Sequence, residues 1–370
     1  MTNLSDLFFA LLRLAIDKGQ PLEKELTAEE WQAIYRMSGQ QGLLGIMFQA
    51  VEKLPKALRP DKDLLFNWYG DCYQIESLNQ HIDKTAVQVS QYYQEHGFRT
   101  CILKGQGNAV MYPNPYSRTP GDIDVWVSPR LRTGSGKFRD GLKMTIQYVR
   151  ESNPKGRAIY HHIDYGMFQG SEVEVHLRPS FMNCPIYNRR LQRWFLEHQE
   201  EQFRHEVELP DGTGKINVPT SSFNIIFQLS HIYHHVLHEG IGLRQIVDYY
   251  FLLTTGTITE RAEMAEKLRY LGLWKIAGAL MWVLHEKLGL GERYLIAPMD
   301  ERRGKVLLRE ILKGGNFGKY DEANIQANSQ LKKNIQRIRH DFRMMRHFPS
   351  ECLWEPVFRI YHYFWRLKYN

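Results

Sequence analysis

Apolar positions in the first hundred residues recur at steps of three and four. Leu4, Leu7, Phe8, Leu11, Leu12 and Ala15 fall on one stripe and predict an amphipathic helix. Thr27 followed by Glu30 forms a capping box that opens a second helix burying Trp31, Ile34 and Tyr35. Ile82, Ala86, Val89 and Tyr93 mark a third helix, with Gly97 placed to end it.

The pattern then changes. Thr100-Cys101-Ile102-Leu103 reads as a short apolar strand, followed at once by Lys104-Gly105-Gln106-Gly107 and a short helix to Met111 that Pro113 and Pro115 break. Gly121 introduces Asp122-Ile123-Asp124-Val125-Trp126-Val127, an alternating strand. A helix is predicted over 138–150 and a polar loop over 151–157. Two more strands, Ala158 to Gln169 and Glu172 to Leu177, are separated by a turn at Gly170-Ser171. From Tyr187 the helical period returns, interrupted near 207–220 by a Pro/Gly-rich passage that predicts a hairpin. The expected fold class is α+β. A small mixed β-sheet core, residues 98–180, lies between an N-terminal helical region, 1–97, and a C-terminal one, 181–370.

A length of 370 residues predicts two or three packed units. With 43% hydrophobic residues, 24% charged residues, 18 Phe, 20 Tyr and 8 Trp, the chain has ample material for a core, which excludes disorder as its main state. No stretch approaches the roughly 20 uncharged apolar residues of a membrane span. The start, Leu4-Ser5-Asp6-Leu7-Phe8-Phe9, soon meets Arg13 and Asp17 and lacks the shape of a secretory signal. Cys72, Cys101, Cys184 and Cys352 are scattered without a CxxC pair and suit a reducing compartment, so a cytoplasmic location is expected. The net charge of +7 favours anionic partners, although a mildly basic surface needs none.

In a strand alternate side chains share a face. Asp122 and Asp124 therefore point together, while Ile123, Val125 and Val127 point into the core. Two adjacent carboxylates repel, and a hard divalent cation such as Mg²⁺ relieves them. The bland alternative is a solvated strand face. Lys104-Gly105 sits at a strand-to-helix junction suited to an anion, and Arg118 precedes the acidic strand, where it could hold a phosphate. Glu174, within Val173-Glu174-Val175-His176-Leu177, is a third carboxylate carried on a sheet. Three carboxylates, divalent cations and a polyphosphate are the equipment of in-line phosphoryl or nucleotidyl transfer.

The order Leu103-Lys104-Gly105, Arg118, Gly121-Asp122-Ile123-Asp124 and Glu174-Val175-His176 resembles the polymerase-β-type nucleotidyltransferase superfamily. More narrowly it is similar to an uncharacterised bacterial nucleotidyltransferase family with a Leu-Lys-Gly, Gly-Asp-x-Asp and Glu-x-His pattern. The match covers about residues 98–180, and Gly242-Leu243-Arg244-Gln245-Ile246-Val247-Asp248 extends it into the helical part. The resemblance implies Mg²⁺, with two ions as one form, and a nucleoside triphosphate, ATP first, as substrate. It implies that Asp122 and Asp124 hold metal, that Glu174 completes the site, and that Lys104, Gly105 and Arg118 meet the nucleotide. The acceptor stays open among a small molecule, a protein side chain and an RNA end. One departure concerns phosphate binding. The superfamily's usual Gly-Ser pair is here Gly105-Gln106.

His176 shares a face with Glu174 and is a candidate to orient it, with a satisfied core histidine as the alternative. Arg244 and Asp248 stand one helical turn apart and could pair, or Arg244 could line the cleft. His231, His235 and His238 have zinc-like helical spacing, but no HExxH accompanies them, so a partly exposed polar stripe beside the active cleft is expected instead. His161 and His162 are expected on opposite faces of their strand. Gly134-Ser135-Gly136-Lys137-Phe138 fails as a P-loop because Leu131 and Phe138 occupy its Gly and Ser/Thr places.

The C-terminal run Lys332, Lys333, Arg337, Arg339, Arg343 and Arg346 carries an apolar seam of Leu331, Ile335, Ile338, Phe342 and Met345. It predicts a docked helix with a basic outer face, followed by an aromatic helix after Pro349. Two other function classes stand beside the enzyme: a catalytically inactive nucleotide-binding module that retains the fold, and a nucleic-acid-binding protein.

Overall fold

The computed structural model describes residues 4–130, 138–238, 240–257, 261–315 and 330–370. Gly134 to Lys137 lie outside the described residues, as do the side chains of Leu331 to Arg337. The fold is α+β, as its sequence pattern predicts.

Five strands form one mixed sheet in the order β1-β2-β5-β4-β3, where β1 is Phe98–Ile102, β2 Ile123–Pro129, β3 Arg157–Ala158, β4 His162–Phe168 and β5 Ser171–His176. β2 and β5 run parallel, and the other neighbours are antiparallel. The single strand expected from Ala158 to Gln169 is instead a tight hairpin. Ile159 N–H donates to His162 O at 2.8 Å and turns the chain at Tyr160-His161. The next turn falls on Gln169-Gly170, one residue earlier than expected. Both residues are left-handed there (φ 47° and 84°), the backbone a two-residue hairpin requires.

Four helices precede the sheet: α1 (Leu4–Ala15), α2 (Ala28–Gln41), α3 (Leu44–Lys53) and α4 (Lys62–Glu95). The capping box at α2 is formed, with Glu30 N–H donating to Thr27 Oγ1 and Thr27 N–H to Glu30 Oε2. The four-residue α5 (Gln106–Ala109) follows β1, and α6 (Phe138–Ser152) follows β2. After β5 come α7 (Pro185–Gln202), a small hairpin β6 (Glu206–Glu208) and β7 (Lys215–Asn217), α8 (Ser221–His238) and α9 (Leu243–Thr255). Then follow α10 (Arg261–Tyr270), α11 (Trp274–Leu288), α12 (Glu301–Gly314), α13 (Gln330–Met345) and α14 (Pro349–Tyr369). No described helix is long and apolar enough to cross a membrane.

Two cores hold these elements. One gathers α1 and α3 from before the sheet with α8, α9 and α11 from after it, so the two helical flanks share a single interior. The other packs Ile123, Val125 and Val127 of β2, with Val173 and Val175 of β5, against α4 and α6. The long α4 serves both, placing Leu64 and Trp68 in the first and Ile82 to Tyr93 in the second.

Of the seam expected along α13, the described side chains are Ile338, Phe342 and Met345, and Met345 packs against the core. Ile338 and Phe342 are 52% and 69% exposed, and Met344 is buried. The register is set by polar contacts to α12, because His340 and Arg343 both meet Glu310. On α14 Cys352 and Trp365 are buried, while Leu353, Val357, Ile360, Phe364 and Leu367 form an exposed apolar row.

Glu351 anchors α14. Its buried carboxylate accepts from the N–H groups of Asn183 (2.5 Å) and Cys184 (3.4 Å), where α7 begins. Burial raises its pKa to about 7 despite those bonds. A raised carboxylate pKa means that the native state keeps a proton the unfolded chain has lost. This contribution is therefore fully present below the ordinary carboxylate range and disappears as pH rises to about 7. We expect up to about 3 kcal/mol of pH-dependent stability from this group. In Glu351→Gln that part of the profile should be flat, as urea unfolding from pH 4 to 8 would report.

Candidate active site

The parallel register of β2 and β5 sets Asp124 beside Glu174 and Trp126 beside His176. The antiparallel register of β5 and β4 adds Asp164 beside Glu174 and His162 beside His176. Partnered residues share a face. Two polar rows thus cross one face of the sheet, with the apolar partners Ile123, Val125, Val173 and Val175 on the other. Asp122 precedes β2 by one residue and joins the same face. Ligand oxygens of Asp122, Asp124 and Glu174 all lie within 4.8 Å of one another. Further along this face Trp126 is covered by Phe203 and Phe223, at ring distances of 4.6 and 5.9 Å.

The cluster carries its own counter-ions. Lys104 Nζ donates to Asp124 Oδ1 at 3.0 Å and to His231 Nε2 at 3.2 Å. His176 Nε2 lies 2.7 Å from Asp124 Oδ1 and 3.5 Å from Glu174 Oε2, so its shorter contact is to Asp124 rather than to Glu174. Burial opposes the charge on His176, but its hydrogen bonds to the two carboxylates prevail and raise its pKa to about 9. Burial likewise works against Asp124, yet Lys104 and His176 hold its pKa below the ordinary range. The neighbouring Asp124 charge and then burial push Asp122 up to about 6. Burial, with Lys104 next, keeps His231 well below 6.5, a neutral acceptor for the lysine.

Gly105 takes φ 58°, ψ −112° and turns the chain from β1 into α5. Leu103 N–H donates to Asp124 O at 2.9 Å, which ties this turn to the acidic strand. α5 is only four residues long, too short for the helix dipole anticipated at Lys104-Gly105. Gln106, in the place of the superfamily's serine, is buried and donates its amide to Asp83 of α4.

Arg118, a candidate phosphate ligand, lines the cleft, and its Nε and Nη2 donate to the two oxygens of Asp248, both at 2.8 Å, in a fully buried bidentate pair. Asp248 also accepts from Tyr112 OH (2.5 Å) and Asn108 Nδ2 (3.2 Å). It thus pairs with Arg118, while Arg244 donates to Thr119 O and Pro120 O, each at 3.0 Å. Arg244 thereby fixes the loop that delivers Gly121 and Asp122. The cleft is lined by Lys104, Gly105, Arg118, Asp122, Asp124, His231, Arg244 and Asp248, among others.

Several histidines differ from expectation. His161 stands in the bend before β4, so strand alternation does not reach it, and its Nε2 approaches His162 Nδ1 at 3.0 Å. Of the α8 histidines, His234 and His238 are half-buried. His231 and His235 are buried, and no metal-capable group of three or more among the described residues includes them. His231 lines the cleft beside which the stripe is expected, while its contact with Lys104 is not legible in the sequence.

The chain belongs to the family described as "Uncharacterised nucleotidyltransferase", whose sequence profile matches residues 27–289. Curated protein sequences gave no match. Among solved structures the chain is similar to an antigenic nucleotidyltransferase-like protein from Paracoccidioides brasiliensis. That likeness has 13% identity and a TM-score of 0.35, covering 60% of this chain and 94% of the other.

Proposed function

We propose that the chain moves a nucleoside monophosphate from a nucleoside triphosphate, ATP first, to a hydroxyl or similar acceptor in a Mg²⁺-dependent reaction. The observation that carries this reading is the clustering of ligand oxygens of Asp122, Asp124 and Glu174 within 4.8 Å of one another, beside Lys104. Their all-oxygen donor set fits a hard dication. Asp122, Asp124 and Glu174 would hold Mg²⁺, which supplies Lewis-acid stabilisation of charge on a phosphate. Lys104 is the cation nearest the carboxylates. It neutralises Asp124 in the free protein and is placed to move toward an incoming polyphosphate. Arg118 and Asp248 form the rigid floor under the loop, and Arg244 orients that loop.

The test is binding of the four ribonucleoside triphosphates with and without Mg²⁺, then pyrophosphate release with small-molecule, protein and RNA-end acceptors. Mg²⁺-dependent binding with release supports the reading. Binding without release on any acceptor favours the inactive module, for which the burial of Gln106 against Asp83 is the specific support. No binding sinks both.

Lys104→Met separates the two roles of the lysine. With its internal cation gone the cluster should take up Mn²⁺ about tenfold more tightly, while affinity for the Mg²⁺-nucleotide falls by a similar factor. Titration calorimetry with and without nucleotide reads both changes.

A further inference from the structure

Beside the oxygen cluster lies a second donor set of different chemistry. His162 Nδ1 is 3.3 Å from Glu174 Oε2, and His176 Nε2 is 3.5 Å from the same oxygen. The three ligand atoms lie within 4.8 Å of one another, and both imidazoles are buried. Two ligands at bonds of about 2.0–2.1 Å and tetrahedral angles stand about 3.3–3.4 Å apart. The observed spacings are close to that value.

The far side of each ring supplies an independent observation. His162 Nε2 meets Asp164 Oδ1 at 2.9 Å, and His176 Nδ1 faces Arg178 O at 3.4 Å. An N–H donated to a carboxylate or a carbonyl fixes the tautomer and aims the other nitrogen's lone pair inward. Metal-binding histidines are held in this way. The contact between His162 Nδ1 and His161 Nε2 fits the same picture. With the His162 proton committed to Asp164, Nδ1 offers a lone pair toward His161 and Glu174. Sheet register produces the arrangement, since His162 pairs with His176 and Asp164 with Glu174.

We propose that His162, Glu174 and His176 bind a borderline transition-metal dication of the Zn²⁺ type, at a site distinct from the Asp122–Asp124 pair and sharing Glu174 with it. Two nitrogens and one carboxylate suit such an ion better than Mg²⁺, which prefers oxygen alone. Uptake takes the His176 Nε2 lone pair for the metal and displaces the proton shared with Asp124, so metal binding releases protons. It also frees Asp124 from its histidine, which couples the two sites. The proposal stands whether or not the chain transfers nucleotides.

The test uses the full chain, with Zn²⁺ in competition with a chromophoric chelator and Co²⁺ as a visible-absorption probe. Wild type should bind about one equivalent at micromolar or lower concentration, with the intense Co²⁺ bands of low-coordinate nitrogen-oxygen ligation. Asp164→Asn, on a largely exposed side chain that touches no bound ion, should weaken Zn²⁺ about 10–100-fold without unfolding the chain. His162→Gln should abolish the bands. Asp122→Asn should leave Zn²⁺ affinity within about threefold, whereas it removes Mg²⁺-nucleotide binding if the proposed function holds. Absent Zn²⁺ binding in wild type, unchanged affinity in both the Asp164 and His162 variants, or loss centred on Asp122→Asn would each overturn the site.

Discussion

Asp122→Asn is expected to lower Mg²⁺-dependent nucleotide turnover by about 1000-fold or more, and at the same time to make the metal-free protein more stable. Both effects have one cause. The carboxylates of Asp122 and Asp124 are held together on one face, and the charge of Asp124 is the main reason that Asp122 ionises only near pH 6. A loss of about 1000-fold corresponds to roughly 4 kcal/mol of transition-state stabilisation, a reasonable share for a ligand that places a cation on a developing phosphate charge. In the free protein the same charge opposes folding. The folded pKa of Asp122 lies above the unfolded value, so stability is lost as pH rises from about 4 to about 6 and stays lower above that. Asparagine removes the cost. With Asp122 half-buried and Lys104 close by, we expect a gain of about 1–2 kcal/mol at pH 7.5 and none at pH 4. Thermal melts across that range should show the curves of variant and wild type diverging upward with pH. Saturating Mg²⁺ should stabilise wild type and leave the variant unchanged. A variant that melts lower at pH 7.5, or that keeps full turnover, removes the carboxylate pair from the centre of the mechanism.

The parts of this site that the sequence disclosed are those that follow from local geometry. Strand alternation alone puts Asp122 with Asp124 and turns Ile123, Val125 and Val127 to the core, and the structure has them so. That Glu174 stands level with Asp124 needed the β2–β5 register, which alternation does not specify. His161 and His162 show where the local rule ends. Extending the strand back to Ala158 separated them, whereas the turn closed by Ile159 and His162 brings them into contact. The exposure of Ile338 and Phe342 on α13 has a related reason. Apolar spacing marks a stripe, but Glu310 on α12 pairs with His340 and Arg343 and decides which side docks. What the sequence leaves hidden at Arg118 is its partner, because Asp248 lies 130 residues away on α9.

Asp248→Ala should accordingly be the most destabilising change near the site, about 4 kcal/mol in urea unfolding. Asp248 is the buried anion between two buried guanidiniums. It holds Arg118 in a two-point bond, and burial together with the nearby Arg118 charge already lowers the Arg244 pKa to about 10. Removing the carboxylate leaves two like charges in a low-dielectric floor and strips Tyr112 and Asn108 of an acceptor. Breaking such a pair from one side costs about 3–5 kcal/mol, whereas exposed pairs contribute about 1 kcal/mol or less. Lys305–Glu301 on α12 is an exposed pair and serves as the control, so Glu301→Gln should shift unfolding by under about 0.5 kcal/mol. Arg118→Met should cost nearly as much as Asp248→Ala. The double variant should cost much less than both together, since neither partner is then left unpaired. The same variants distinguish a structural arginine from a phosphate-binding one. If Arg118 chiefly holds nucleotide, Arg118→Met would weaken nucleotide binding at unchanged stability, with additive behaviour in the double variant. The buried two-point bond to Asp248 leads us to expect the reverse: a large, coupled stability loss, with weaker nucleotide binding only as the loop carrying Gly121 and Asp122 loosens.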